Sequence, residues 1–296
     1  RGGMGEGMGE RGGIWRKVGL GMVGLLLAVV LSWGAEARGA ERLNDKFLVH
    51  LPEAAREGDF SFAYIGDVQI NFSLFEQALQ RMGEDPQVAF LIVGGDTMDK
   101  ASDEGFKAFL RRVKNKPFPV VAVPGNHDLY GDPGATLFRQ YIGDGVTSFV
   151  VGKSQFILLQ NTTGNIPKDV KKSFVALLDS YAANPSLRHL FVVMHVPPFD
   201  PRTNSPGHSM NAREARKFFA LLEPLATRHR TVTVMSSHVH GCFFRDHGPV
   251  RVVVSGGGGG GLYGKGEEFF HHYMKVHVRG DRVSFVPVRL EKKKKP

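Results

Sequence analysis

Five short polar stretches of the sequence carry side chains of the types that bind metals or phosphate. They are Gly66-Asp67-Val68-Gln69, Gly95-Asp96-Thr97-Met98-Asp99, Gly125-Asn126-His127-Asp128, His195, and His238-Val239-His240-Gly241. Carboxylates, imidazoles and an amide oxygen together suit hard to borderline divalent cations. Taken singly, a stretch of this kind is explained equally well as a polar turn or a helix cap. Their placement in the fold therefore decides between the two interpretations.

An apolar run that predicts a buried strand precedes each polar stretch. These runs are 60–65, 88–93, 119–123, 190–194 and 231–235, and amphipathic helical patterns lie between most of them. Strands that alternate with helices predict an α/β fold with a parallel sheet, and ligands bind at the carboxyl ends of such strands. Asp67, Asp96 and Asn126 should meet at that edge. His238 and His240 point to the same side of an extended segment and form a natural pair of metal ligands.

In this order, the five stretches resemble the five sequence blocks of the calcineurin-like metallophosphoesterase superfamily, and they span residues 66–241. The resemblance implies a four-layer α/β/β/α sandwich over residues 59–290, with the metal site at the C-terminal ends of the core strands. The strands expected at 250–255, 270–278 and 282–288 would then belong to the second sheet.

The resemblance also implies two metal ions, of Mn, Fe or Zn, and a set of ligands for them. The ligands it implies are Asp67, Gln69 and His240 for the first ion, Asn126, His195 and His238 for the second, and Asp96 as the bridge between the ions. Two ions held in this way can clamp both oxygens of an in-line phosphoryl displacement.

The implied reaction is hydrolysis of a phosphoester by attack of a metal-bridging hydroxide on phosphorus. His127, oriented by Asp99, would lie near the phosphate as a general acid or charge stabiliser. Lys100, together with Asn126 and His127, would contact the substrate. The expected partner is a small-molecule phosphomonoester. The alternatives are a phosphodiesterase acting on nucleotides or lipid head groups, and a relative that binds metal or phosphate without turnover.

Three positions depart from the pattern of the family. Gln69 stands where the family usually has His, and an amide oxygen binds more weakly than an imidazole. A looser first metal site, or a different metal preference, is therefore expected. Lys100 replaces the Arg of many relatives and offers a point charge instead of a planar fork. Ser237 replaces the usual Gly before the last His pair, a change that we expect to be tolerated.

The N-terminus has the pattern of an export signal. Arg16-Lys17 precede a short apolar run at 18–31, and Ala35-Glu36-Ala37 places small residues where a signal peptidase cleaves. This pattern predicts cleavage after Ala37 and export to the periplasm or the medium. An uncleaved anchor is the alternative, and only that form would attach the protein to a membrane. Residues 38–58 are predicted to be a connector, and 291–296 a basic tail.

Composition argues against two other classes of protein. The formal net charge is +9, but Lys292 to Lys295 supply four of those charges. The body is only mildly basic and has no aromatic-basic stripe, so no nucleic-acid partner is expected. Cys242 is the single cysteine, which excludes an intrachain disulfide framework, and it is predicted to be a small buried residue. The sequence leaves the oligomeric state open.

Three features outside the five stretches carry weaker predictions. The glycine run 256–261 is either a mobile linker or a loop whose backbone passes near the metals. His208 lies in a polar loop expected to cover the site and is a candidate for substrate contact. His271 and His272 are predicted to be partly exposed structural residues.

Overall fold

The computed structural model of the protein describes residues 41–50, 59–69, 72–202 and 207–291. The predicted leader (1–37), part of the predicted connector (38–40 and 51–58) and all but the first residue of the predicted tail lie outside the described residues. None of the described helices is long and apolar enough to cross a membrane.

Helices and strands alternate through the first half of the chain, as the hydrophobic pattern predicts. The described helices are α1 (Leu43–Val49), α2 (Phe72–Gly83), α3 (Asp103–Val113), α4 (Thr136–Tyr141), α5 (Lys168–Ala183) and α6 (Ala212–Leu222). The described strands are β1 (Phe60–Ile65), β2 (Val88–Val93), β3 (Val120–Ala122), β4 (Val146–Val151), β5 (Ser154–Leu159), β6 (His189–Met194), β7 (Thr231–Ser236), β8 (Cys242–His247), β9 (Val250–Ser255), β10 (His272–Arg279) and β11 (Arg282–Arg289).

The strands form two mixed sheets. The first has the order β11-β10-β1-β2-β3, and the second has the order β4-β5-β6-β7-β9-β8. Strands β1, β2 and β3 run parallel to one another, as do β5, β6, β7 and β9. Each sheet therefore contains a block of adjacent parallel strands, whose carboxyl ends lie along one edge.

Three hydrophobic clusters separate four layers of structure. One cluster packs α2, α3 and α4 against the outer face of the first sheet, and another packs α5 and α6 against the second. The third lies between the sheets and is rich in aromatic rings, for example Phe156 and Phe191, which stack with centroids 4.7 Å apart. The predicted α/β/β/α sandwich is confirmed.

Two strands belong to a different sheet from the one predicted. Of the three late strands, only β9 joins the second sheet, whereas β10 and β11 join the first. The reason is that β1 is buried at every position, so the backbone along its free edge must be paired. Antiparallel β10 supplies that pairing from Phe60↔Val278 to Tyr64↔Met274. Strand β8, which was not predicted, pairs with β9.

Part of the predicted connector belongs to the folded domain. Helix α1 buries Phe47 in the cluster between the sheets, and its Asn44 side chain bonds both backbone groups of Ala122 at 3.0 Å. The Asn44 amide thus pairs with the edge of β3 in place of a further strand. The prediction of a connector is corrected for residues 43–49.

Candidate metal centre

The polar stretches that follow β1, β2, β3, β6 and β7 meet at one edge of the two sheets. Backbone hydrogen bonds join them: the N–H of Asp67 donates to the Gly95 carbonyl at 3.1 Å, and the N–H of Ser237 donates to the His195 carbonyl at 2.9 Å. The five stretches predicted from the sequence therefore form a single site.

One group of predicted ligands, which we call the first ligand group, consists of Asp67, Gln69 and His240. Nε2 of His240 lies 3.4 Å from Oδ1 of Asp67. Nδ1 of the same ring lies 2.5 Å from the Gly261 carbonyl oxygen, which can only accept, so Nδ1 carries the proton and Nε2 is free to ligate. The Gln69 amide N–H₂ donates to a second carboxylate, Oδ2 of Asp96, at 3.3 Å.

The remaining predicted ligands, Asn126, His195 and His238, form the second ligand group. Nε2 of His195 lies 3.1 Å from Oδ1 of Asn126 and 3.2 Å from Nδ1 of His238. The Nδ1 atom of His195 donates to the carbonyl of Gly94 at 2.9 Å, which fixes the ring. Three donor atoms of the types that bind transition metals thus converge on one point.

Asp96 lies between the two groups. Its Oδ1 is 3.4 Å from Nε2 of His195, and its Oδ2 is 3.3 Å from the amide of Gln69. Ligand atoms of Asp67, Asp96 and His195 all lie within 4.8 Å of one another. This carboxylate is therefore placed to contact a cation in either group.

The site has the electrostatic character of a cation site. Asp67 is fully buried, and its Oδ1 has no hydrogen-bond partner among the described residues. Burial raises the pKa of Asp67, although the imidazoles of His240 and His195 oppose that shift. A buried carboxylate oxygen without a partner is costly unless a cation neutralises it. Two carboxylates, three imidazoles and two amides thus fit a metal centre.

The two adjacent imidazoles of the second group differ in protonation. Burial and the neighbouring His195 lower the pKa of His238 to about 3. Burial also disfavours charge on His195, but the Asp96 carboxylate outweighs it and raises the pKa of His195 to about 9. Burial likewise opposes ionisation of Asp96, yet His195 and the His127 backbone lower its pKa. Asp96 thus favours the charged form of His195, whereas His238 favours the neutral form that can bind a cation.

Several ligand positions have a strained backbone. Asp67, Gln69, Asp96 and His238 all have φ between 43° and 66°, in the left-handed region that residues other than glycine rarely adopt. Such residues persist where the surrounding structure holds them, and they concentrate at functional sites. The strain coincides with the predicted ligands.

Asp128 is a functional residue to which the sequence analysis gave no role. Its buried carboxylate accepts hydrogen bonds from the N–H groups of Asp96, Thr97 and Gly125, each at 2.8 Å, and from the Thr97 hydroxyl at 2.6 Å. It therefore fastens the loop after β2 to the loop after β3. The signal was its place at the end of the third polar stretch.

His127 is anchored to both the Asp96 carboxylate and the main chain of Asp99. Its N–H donates to Oδ1 of Asp96 at 2.9 Å. Its ring Nδ1 donates to the Asp99 carbonyl oxygen at 2.7 Å, while the exposed Asp99 carboxylate is 3.6 Å away. The main chain of Asp99 thus orients the ring. Lys100 is exposed, with its ammonium 5.6 Å from the centroid of the Tyr130 ring.

The glycine run 256–261 lies against the first ligand group, so of its two interpretations the one that places it near the metals agrees with the structure. The N–H groups of Gly258 and Gly260 donate to the carbonyls of Gly66 and Asp67 at 2.9 and 2.8 Å. A Cβ on Gly256 would lie 2.4 Å from Oδ2 of Asp67. Only glycine allows so close an approach.

Ser237 and Cys242 behave as predicted. The Ser237 hydroxyl bonds the Tyr64 hydroxyl at 2.6 Å and occupies space that a Cβ on Gly66 would need, which explains why this chain accepts serine here. Cys242 is buried, and burial raises its thiol pKa to about 12.

The prediction that His271 and His272 are partly exposed is wrong, because both are buried. His272 lies between the two sheets, where Ser255 bonds its Nε2 at 2.9 Å and the Phe270 carbonyl accepts from its Nδ1 at 2.8 Å. These bonds satisfy both nitrogens of a neutral ring.

Comparisons with known proteins agree with the geometry. A family model described as calcineurin-like phosphoesterase matches residues 60–242. No curated protein matches the sequence at a significant level. Plasmodium GAP50, described as the anchor in the inner membrane complex, is similar in fold (TM-score 0.58, 14% identity, covering 80% of this chain and 91% of that one).

A second similar structure is the purple acid phosphatase PPD1 from yellow lupin seeds (TM-score 0.60, 13% identity, covering 79% of this chain). This chain spans about half of that protein's length, 52%. At such low identities the two structures establish a common fold. The family match covers most of the chain and all five polar stretches, and the protein therefore belongs to the calcineurin-like phosphoesterase family.

Proposed function

We propose that the protein is a hydrolase of phosphomonoesters that uses two metal ions. The observation that carries the proposal is the position of Asp96, whose two carboxylate oxygens contact His195 on one side and Gln69 on the other. Two groups of ligands that share one carboxylate are the arrangement of a two-metal centre. Membership of the phosphoesterase family supports the type of bond that is cleaved.

Each ligand group would hold one of the two ions. Asp67, Gln69 and His240 would hold one ion, and Asn126, His195 and His238 the other. When bound, the two ions would supply Lewis acidity at phosphorus and a coordinated water of lowered pKa. The buried walls around Asp67 and Asp96 exclude bulk water, which strengthens each electrostatic contact within the site.

His127 is the residue best placed to exchange a proton with the leaving group. Because its Nδ1 donates to the Asp99 carbonyl, Nε2 is the ring atom that remains available. The hydrogen bond between its N–H and Asp96 ties this ring to the metal ligands. His127 would protonate the leaving oxygen or stabilise the charge that develops there.

The test is turnover by the purified protein, stripped of metal and reloaded with Mn, Fe or Zn. Hydrolysis of a chromogenic phosphate monoester is compared with that of the matching diester. We expect His127→Ala to lower kcat by about 10²–10⁴-fold with unchanged metal content. His229→Ala is the matched control, since this exposed histidine lies at the opposite end of β7. Faster hydrolysis of the diester would contradict the proposed phosphomonoesterase and indicate a phosphodiesterase.

A binding protein without turnover is the second candidate. Gln69 favours it, because an amide replaces the imidazole expected at a first-group position. The fold of Plasmodium GAP50, an anchor by its description, is compatible with such a role. Two bound metal ions without hydrolysis of either ester would support this candidate. Absence of metal binding would overturn the ligand assignment itself.

We also propose that the protein is exported. The support is the sequence of the leader, with Arg16-Lys17, the apolar run 18–31 and the small residues Ala35 and Ala37. N-terminal sequencing of the protein from fractionated cells tests the proposal. A chain starting at residue 38 outside the cytoplasm is expected, whereas an intact chain in the membrane fraction would indicate an anchor.

A further inference from the structure

Two aromatic side chains outside the predicted ligand set extend the wall of the metal centre. Tyr263 stacks on His240, with ring centroids 4.1 Å apart and planes inclined by 22°. His208 lies 5.3 Å from His238 and 5.1 Å from Tyr263, measured between ring centroids. The rings thus form a continuous arc, from His240 in the first ligand group to His238 in the second.

The outer part of this arc faces solvent. Tyr263 is 39% exposed, and His208 is partly exposed. The Arg202 guanidinium lies 5.5 Å from the centroid of the Tyr263 ring and forms an ion pair with Asp200 at 2.7 Å. The outer surface of the arc is therefore planar and polarisable, with a cation beside the Tyr263 ring.

From this juxtaposition we propose that Tyr263 and His208 form a leaving-group subsite for esters whose alcohol part carries a planar aromatic ring. The proposal rests on the proposed phosphoesterase function and names its substrate class. With the phosphoryl group at the metal ligands, an aromatic leaving group can stack on the exposed part of the arc. Stacking of this kind favours a planar ring over a puckered one of equal size.

A second exposed tyrosine, Tyr130, offers a competing surface, and its N–H donates to the His127 carbonyl at 3.2 Å. Tyr130 follows His127 by three positions, is 64% exposed and has the Lys100 ammonium 5.6 Å from its ring centroid. It contacts none of the ligand rings among the described residues. A leaving group that stacked there would depend on Tyr130 and not on Tyr263, so these two tyrosines form a matched pair for the test.

The experiment uses substrates that differ in planarity but not in the chemistry of the leaving oxygen. Benzyl phosphate is compared with cyclohexylmethyl phosphate, and a nucleoside 5′-monophosphate with ribose 5-phosphate, since all four release a primary alcohol. The kcat/KM ratio within each pair is measured for the metal-loaded protein and for Tyr263→Leu, Tyr263→Phe and Tyr130→Leu. Metal content is determined for every variant.

We expect the planar member to be favoured about tenfold in at least one pair, and the pair that shows it identifies an aryl or a nucleobase group. Tyr263→Leu should remove the preference for the planar member, so that the kcat/KM ratio falls to about 1. Tyr263→Phe and Tyr130→Leu should retain the preference. If Tyr263 only positions His240, Tyr263→Leu will slow both members of a pair equally, which overturns the proposal. Loss of the ratio in Tyr130→Leu alone would also overturn it.

Binding of non-hydrolysable phosphonates separates this proposal from the proposed function. Calorimetric titration compares benzylphosphonate and a nucleoside phosphonate with their non-aromatic counterparts. Tighter binding of an aromatic member, lost in Tyr263→Leu, without turnover of any ester would refute the hydrolase and retain the subsite. Turnover of the esters without a preference for aromatic members would support the hydrolase and refute the subsite. No binding of any phosphonate to the metal-loaded protein would refute both.

Discussion

The two ligand groups of the metal centre differ in composition and in how they are held. The second group has two imidazoles in contact, fixed by side-chain hydrogen bonds such as that of His195 with Gly94. The first has one imidazole, His240, and is framed by the backbone of the glycine run. A Cβ on Gly260 would lie 2.7 Å from Oε1 of Gln69. Side-chain hydrogen bonds thus hold the second group, whereas the backbone of the glycine run frames the first.

This difference has a consequence for metal affinity. An amide oxygen is a weaker ligand than an imidazole for Zn or Fe, so the ion of the first group should be held less tightly. The second group has the complete set of residues that the family resemblance implies. We therefore expect sequential loading of the two ions, with the second group filled first. Four changes test this comparison, described from the largest expected effect to the smallest.

Asp96→Ala should disable both groups at once. Because Asp96 contacts Gln69 and His195, its loss removes a ligand from each ion, and metal affinity should fall on the order of 10³-fold or more. Calorimetric titration with Mn or Zn measures this. Asp99→Ala is the matched control, since its carboxylate is exposed. Loss of only one ion would show that Asp96 does not bridge the groups.

Asp128→Asn should weaken the scaffold that both groups share. An amide cannot accept all four hydrogen bonds from the Asp96, Thr97 and Gly125 loops, and its own N–H₂ would face backbone donors. The free energy of unfolding should fall by about 2–3 kcal/mol, measured by urea denaturation of the metal-free protein. Asp179→Asn, on the exposed face of α5, should change it by less than about 0.5 kcal/mol. Equal effects would contradict the role of Asp128.

His272 should make the glycine run sensitive to acid. It bonds Ser255, the residue directly before that run, and burial lowers its pKa to about 4 from an ordinary value of 6.5. Between those values the unfolded chain binds a proton that the folded protein does not. The free energy of unfolding should therefore fall by roughly 2–3 kcal/mol as pH decreases from about 6.5 to about 4.

The check is a pair of pH series of urea denaturation for the wild type and His272→Gln. The variant should lose stability less steeply over this range, because it lacks the group that takes up the proton. Parallel curves would mean that His272 does not contribute to the acid sensitivity.

Gln69→His should remove the difference between the groups. An imidazole in place of the amide is expected to tighten binding of the weaker ion by about tenfold, with the stronger ion unaffected. Two-site calorimetric titration resolves the effect. Gln80→His, on the exposed face of α2, serves as the control. If the stronger ion changes instead, the assignment of Gln69 to the first group is wrong.

The sequence by itself determined the parts of the protein that depend on short-range pattern. Strands β1 and β2 have the predicted bounds, because a largely apolar run that is followed by glycine and a polar residue is typical of a buried parallel strand. The polar stretches were found in the same way, since each follows a strand directly. The convergence of Asp67, Asp96 and Asn126 followed from the rule that parallel strands of one sheet end at one edge.

Only the tertiary structure decided the features that depend on distant partners. Strand β10 joins the first sheet because β1 has an edge to be paired, and no local pattern in 272–279 states that preference. The role of Asp128 depends on N–H groups more than thirty positions away in the sequence, such as the N–H of Asp96. Tyr263 and His208, far apart in the sequence, contact each other and the rings of His240 and His238. Local chemistry thus named the ligands, whereas long-range packing decided what holds and surrounds them.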